Sequence, residues 1–207
     1  MSNSGKFVAF EGIDGSGKSH QIRLLCEKIR DTKRKTYETF EPTDSPIGSL
    51  IHQMMTGRIN SNDKTIAALF VADRLDHLLN DVNGILQKVV DGNIVLTDRY
   101  YFSSYAYHGI HMPLEWVIDA NHLCHEILKP DINIFIDVPP ERCLERINKE
   151  RWHLELYENL ENMKRVRDKY FEAFDVLSDK EHIVIIDGDR PAQEVADAIW
   201  THVEGLL

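Results

Sequence analysis

Positive charge is in short supply in this chain. Lys and Arg number 24 against 34 Asp and Glu in 207 residues, a formal net charge of -10. A general nucleic-acid binder presents a basic face, so no nucleic-acid partner is expected. Enzymes that handle single nucleotides need only a few local cations and stay open. Cysteine is sparse too. Cys26, Cys124 and Cys143 are far apart, odd in number and set in helix-like apolar patterns. With no C-x-x-C spacing, the expectation is buried thiols in a reducing, cytoplasmic setting rather than a disulfide framework or a cysteine metal site. Long apolar runs are missing. No stretch nears the roughly 20 residues of a membrane span, and the polar start followed by a strand-length run is not a signal peptide. Internal repeats, low-complexity tracts and linkers are also lacking, so 1–207 reads as one domain.

Against these absences stands one glycine-rich octapeptide, Gly12-Ile13-Asp14-Gly15-Ser16-Gly17-Lys18-Ser19. It fits G-x-x-x-x-G-K-[ST] without mismatch. The strand-like run Phe7–Phe10 precedes it, and Ile22, Leu24, Leu25, Cys26 and Ile29 follow at helical spacing. Strand, loop and helix together make the motif a strong sign of a phosphate-binding P-loop. Glycines let the backbone turn its N–H groups inward as an anion nest, and the helix adds its positive end. Lys18 can bridge the outer phosphates, and the Ser19 hydroxyl can ligate Mg²⁺.

Strand-like runs recur at Thr36–Phe40, Ile94–Thr97, Ile132–Val138 and Ile183–Ile186. Helical patterns lie between them, over Lys18–Arg30, Ile47–Thr56, Lys64–Val90, Pro113–Leu128, Pro139–Lys149, Tyr157–Leu177 and Ala192–Val203. The rhythm predicts an α/β fold of P-loop NTPase type, a three-layer sandwich with a five-stranded parallel sheet between helices. Ligands in such sheets bind beyond the strand C-terminal ends, which picks out Glu11, Asp14, Glu41, Thr43, Asp98 and Arg99. Asp98 closes its strand as a Walker B acid does, a position that can hold Mg²⁺; an acid at a strand end is common in any protein. Arg99 beside it either forms a structural ion pair or grips a phosphate with its two-pronged guanidinium. Phe70 and Arg74 are four apart on one helical pattern and share a face. They read either as a core ring and a surface cation or as a base-stacking ring and a phosphate ligand. The charge-rich stretch 141–169 is either a solvated helix pair or a lid bearing cations.

Several motifs occur together and in order: Val8–Ser19, Glu41-Pro42-Thr43, Leu69–Arg74, Asp98-Arg99-Tyr100 with Ser103–Tyr107, and Lys129-Pro130-Asp131 leading to Asp137–Glu141. In this the chain resembles the thymidylate kinases, from about residue 6 to the last helix. The resemblance implies transfer from ATP to dTMP with Mg²⁺, a short helical lid at about 142–157, and a homodimer. It places Asp14 near the dTMP sugar and phosphate and among the groups organising Mg²⁺. Phe70 would stack on thymine, Arg74 and Arg99 would hold the dTMP side, and Tyr107 would wall the sugar against a 2′-hydroxyl. His108 would lie at the base edge, and Tyr157 at the lid end near dTMP. The apolar residues of Lys64–Val90 exceed what one sheet contact needs, which agrees with a dimer.

The chain departs from that family pattern at three places. Some members carry an arginine inside the P-loop where this chain has Gly15; their counterparts without it have a basic lid, and Arg146, Lys149 and Arg151 are the lid cations here. His108 stands where many bacterial members have Gln, and Phe40 where an Arg often precedes Glu-Pro. Two other readings remain open from the residues: a kinase for a different nucleoside monophosphate or a deoxynucleoside, and a non-catalytic nucleotide switch.

Overall fold

Apolar β-branched and aromatic residues dominate the central strands, and burial follows. In the computed structural model, which describes residues 4–150 and 159–207, β1 (Lys6–Glu11), β3 (Ile94–Asp98) and β4 (Ile132–Asp137) are almost wholly enclosed. The edge strands β2 (Thr36–Phe40) and β5 (Ile183–Asp187) are half exposed. The strands are parallel and ordered β2-β3-β1-β4-β5.

That order fixes the layers. The chain moves one way from β1 to β2, through α1 (Lys18–Asp31). It then returns the other way to β3, β4 and β5. Right-handed crossovers therefore put α1 on one face and the later connections on the opposite one. The α1 helix packs on α9 (Ala192–Val203), which follows β5. On the other face, α5 (Tyr101–Gly109) packs on α6 (Leu114–Ile127) and α8 (Leu160–Leu177). A helix-sheet-helix sandwich results, as expected from the sequence. The three thiols are buried and unpaired.

Two expectations about elements are corrected. The pattern over Lys64–Val90 is not one helix. It divides into α3 (Asp63–Leu79) and α4 (Ile85–Val90). Asn80 leaves helical geometry at ψ 129, and its side chain accepts from the Val82 N–H. At Gly84 a Cβ would sit 2.5 Å from the Asn80 carbonyl oxygen, so the turn needs glycine. The second correction is α5, which no periodicity announced. Eight of its nine residues are buried. A helix enclosed on all sides has no polar face to set a 3.6-residue rhythm. The remaining helices are α2 (Pro46–Met55), capped by Ser45, and α7 (Pro140–Glu150).

Candidate active site

The loop after β1 is built on glycines in left-handed geometry. Gly12, Gly15 and Gly17 have φ of 147, 77 and 94, where a side chain would be strained. Lys18 Nζ turns back to the Gly12 and Ile13 carbonyls at 3.1 and 3.3 Å. Burial, with Arg99 beside it, lowers the Lys18 pKa from its ordinary value. The Ser16 hydroxyl is buried in this loop without a hydrogen-bond partner, as suits a cradle for an oxyanion.

Ser19 and Asp98 come together. Ser19 Oγ donates to Asp98 Oδ2 at 2.5 Å, and Lys18 Nζ is 3.8 Å from Asp98 Oδ1. A hydroxyl and a carboxylate are hard oxygen donors that fit Mg²⁺, which commonly takes one or two protein ligands and fills its octahedron with phosphate oxygens and water. Among the described residues, no cluster of three or more His, Cys, Asp or Glu could hold a metal by itself.

Asp14 faces the other way. Its carboxylate accepts from Arg99 Nη2 at 2.6 Å and from the Tyr107 hydroxyl at 2.8 Å. Burial pushes its pKa up, but Arg99 and Lys18 outweigh burial and hold it below the ordinary value. The Arg99 guanidinium also donates to the Gly12 carbonyl and Ser103 Oγ, and it lies 4.9 Å from the Tyr107 ring centre.

Two clefts open onto these residues. The larger runs along Gly15, Lys18, Ser19, Asp98 and Arg146. The smaller is walled by Phe70, Tyr107, His108, Ser103, Ser104 and Met55. Asp14, Pro42, His52 and Arg99 line both clefts, so the two meet at the Asp14–Arg99 pair.

In the smaller cleft the Phe70 and His108 rings lie 5.1 Å apart at 56°. His108 is 2% exposed, and its Nδ1 has no partner. Burial, with Arg74 nearby, pushes its pKa down to about 3, so the ring is neutral. A neutral imidazole can offer one donor and one acceptor to a base edge. Phe70→Ala removes the flat wall. The expected result is a rise in the Michaelis constant of the second substrate on the order of tenfold, from stacking worth about 1–3 kcal/mol. That for ATP should change less than twofold, and equal rises in both would place Phe70 outside the acceptor site.

The family model described as Thymidylate kinase matches residues 10–199 of this chain. The chain belongs to the thymidylate kinase family. A probable thymidylate kinase of Pyrobaculum calidifontis is 34% identical over 202 residues, covering 97% of each chain. The thymidylate kinase of Desulforudis audaxviator is 32% identical over 209 residues, covering 99% of this chain and 92% of its own. The solved structure of Candida albicans thymidylate kinase superposes with a TM-score of 0.78 at 23% identity. It covers 98% of this chain and 92% of that one, a likeness of fold.

Not every residue that thymidylate kinase resemblance marked stands on a cleft wall. Arg74 was expected to hold the acceptor, but it is 0% exposed and lines neither cleft. Its guanidinium pairs with Glu41 at 2.6 Å, donates to Ser104 Oγ at 2.9 Å and to the Tyr100 carbonyl at 3.1 Å, and reaches Asn121. It supports the wall from behind, through Ser104. Arg146 lies at the larger cleft, with Nη1 3.3 Å from the Gly15 carbonyl and Nη2 3.4 Å from that of Gly188. Lys149 is exposed and lines neither cleft. Arg151 and Tyr157 lie outside the described residues. His52 and Met55 also line the smaller cleft, though neither belongs to a sequence motif. They sit three apart on α2, one helical face, and that spacing is the signal that could have found them.

Proposed function

We propose that the protein transfers the γ-phosphoryl group of ATP to the 5′-phosphate of dTMP, giving ADP and dTDP, with Mg²⁺ as cofactor. The observation that supports this best is the meeting of a P-loop cleft and a smaller aromatic cleft at Asp14 and Arg99. Phosphoryl transfer needs in-line placement and cations around the moving charge more than covalent work. The P-loop backbone and Lys18 would hold the ATP phosphates. Ser19 and Asp98 would hold Mg²⁺, which when bound neutralises charge on the phosphate oxygens; Asp14, already paired with Arg99, would help organise the ion. Arg99 would hold the dTMP phosphate, Phe70 and His108 would face thymine, and Tyr107 would close the sugar side. No general base is required, because a phosphate monoester is itself a good nucleophile. We place the lid at about 142–157, where closure would exclude water and bring in a basic residue.

We also propose a cytoplasmic homodimer. No helix among the described residues is long and apolar enough to cross a membrane. Leu79, Val82 and Val90 are strongly exposed along the α3–α4 segment. Light scattering on the purified protein reads the mass, and a single-chain value would refute the dimer.

The deciding experiment for function is kcat/KM for dTMP, dUMP, UMP, dCMP and dGMP at saturating MgATP. The thymine methyl is worth only about 1–3 kcal/mol, so dUMP should be a poorer but detectable substrate. UMP should rank below dUMP if Tyr107 opposes a 2′-hydroxyl. A ranking led by cytosine or purine acceptors would give the site to another nucleoside monophosphate.

A further inference from the structure

We infer that Glu11 is a positioning residue for acceptor binding, acting through Arg99. The inference rests on the reading of Arg99 as the ligand of the acceptor phosphate.

The turn Asp98-Arg99-Tyr100 is strained. Arg99 has φ 75, a left-handed conformation that disfavours any residue but glycine. Such a residue persists only where its surroundings hold it. Here bonds grip the backbone around it. The Arg99 N–H donates to the Phe10 carbonyl at 2.8 Å, and the Thr97 hydroxyl donates to the Arg99 carbonyl at 2.9 Å. The Tyr100 N–H donates to Glu11 Oε1 at 2.9 Å. Glu11 thus fixes the exit of the strained turn from the end of β1.

Its second oxygen fixes the side chain. Glu11 Oε2 accepts from Ser103 Oγ at 2.6 Å and from the Tyr170 hydroxyl at 3.0 Å. With its proton committed to Glu11, Ser103 turns a lone pair toward Arg99 Nη1, 3.1 Å away. The carboxylate therefore orients the hydroxyl that holds the guanidinium over the junction of the two clefts. Glu11 itself is 0% exposed and lines neither cleft. It acts from behind, and no step of the transfer needs it in contact with substrate.

A buried carboxylate is costly unless it is satisfied. Burial pushes Glu11 up to about 7, against the pull of Ser103, Arg99, Tyr100 and Tyr170. The ionisable groups facing it are Arg99 from the turn, Lys18 from α1, Tyr105 from α5 and Tyr170 from α8. Glutamine would pack in the same space with lower burial cost. It offers only one acceptor oxygen, so it cannot serve both the Tyr100 N–H and the Ser103–Tyr170 pair. An apolar packing role would survive that exchange, whereas a positioning role would not.

The test is a double-mutant cycle on affinity for dTMP, measured by calorimetry and by Michaelis constants. Glu11→Gln should weaken dTMP on the order of tenfold, as expected for residues coupled in one hydrogen-bond network. MgATP affinity should stay within about twofold of wild type, which also reports an intact fold. In an Arg99→Ala background the same Glu11→Gln change should cost less than about twofold. Tyr170→Phe, which keeps its ring in the core, should show the same pattern at about threefold, and it carries the test if Glu11→Gln does not fold. Equal losses in both backgrounds, equal losses for dTMP and MgATP, or no loss at all would overturn the role of Glu11 and leave the kinase reading standing. A wild-type protein that does not bind dTMP would overturn that reading, and this inference with it.

Discussion

Replacing Arg146 by alanine is expected to lower kcat by roughly 10³-fold or more, the range for loss of an arginine that stabilises a transferring phosphoryl group. The dTMP Michaelis constant should change little, since losing a contact made only in the transition state lowers kcat and leaves ground-state binding unchanged. Among the described lid cations, Arg146 is the one at the larger cleft, beside the Gly15 carbonyl. Lys149 is exposed outside both clefts, so Lys149→Ala should be mild. Arg146→Lys should recover little, since an ammonium cannot reproduce the planar fork. Single-turnover measurements separate this loss from slowed product release. If Arg146→Ala, Lys149→Ala, Arg151→Ala and the triple variant all keep full kcat, the lid is only a cover.

Lys18→Ala should lower kcat by about 10²–10³-fold, the loss typical of one preorganised electrostatic contact. The side chain is buried, but its partners are two loop carbonyls and the Asp98 carboxylate rather than apolar groups. Its charge therefore faces the loop and Asp98 rather than the apolar core. The melting temperature should stay within a few degrees of wild type, and circular dichroism should be unchanged. Turnover near wild type would refute the P-loop assignment, whatever the homology.

Much of this site could be read from residue order, because its chemistry is local. The cradle needs glycines, a lysine and a serine in one octapeptide, and Asp98 ends a strand that Arg99 directly follows. What could not be read depends on contacts far apart in sequence. Arg74 and Phe70 do share a helix, yet the guanidinium is claimed by Glu41, Ser104 and Asn121 from three other segments. Helical spacing gives the angle between two side chains, not the partners waiting there. Glu11 presents a similar case. Its position at the C-terminal end of β1 marked it as near the ligand, but its partners Ser103 and Tyr170 come from α5 and α8. The α5 helix was hidden for the reason that makes it important: it is enclosed, and its Ser103, Ser104, Tyr107 and His108 form much of the small cleft. The break between α3 and α4 turns on a single glycine that must approach a carbonyl closely.

Gly15 links the two walls of the larger cleft. A Cβ there would lie 2.7 Å from the Cys143 carbonyl oxygen and 3.1 Å from Ile147 Cγ1, both on α7. The helix that carries Arg146 thus leans into the space a side chain at residue 15 would occupy. Placing an arginine in this loop is consequently not a point graft. It would push α7 away and withdraw Arg146 from the Gly15 carbonyl in the same movement. One missing methyl group lets α7, and Arg146 with it, close against the P-loop.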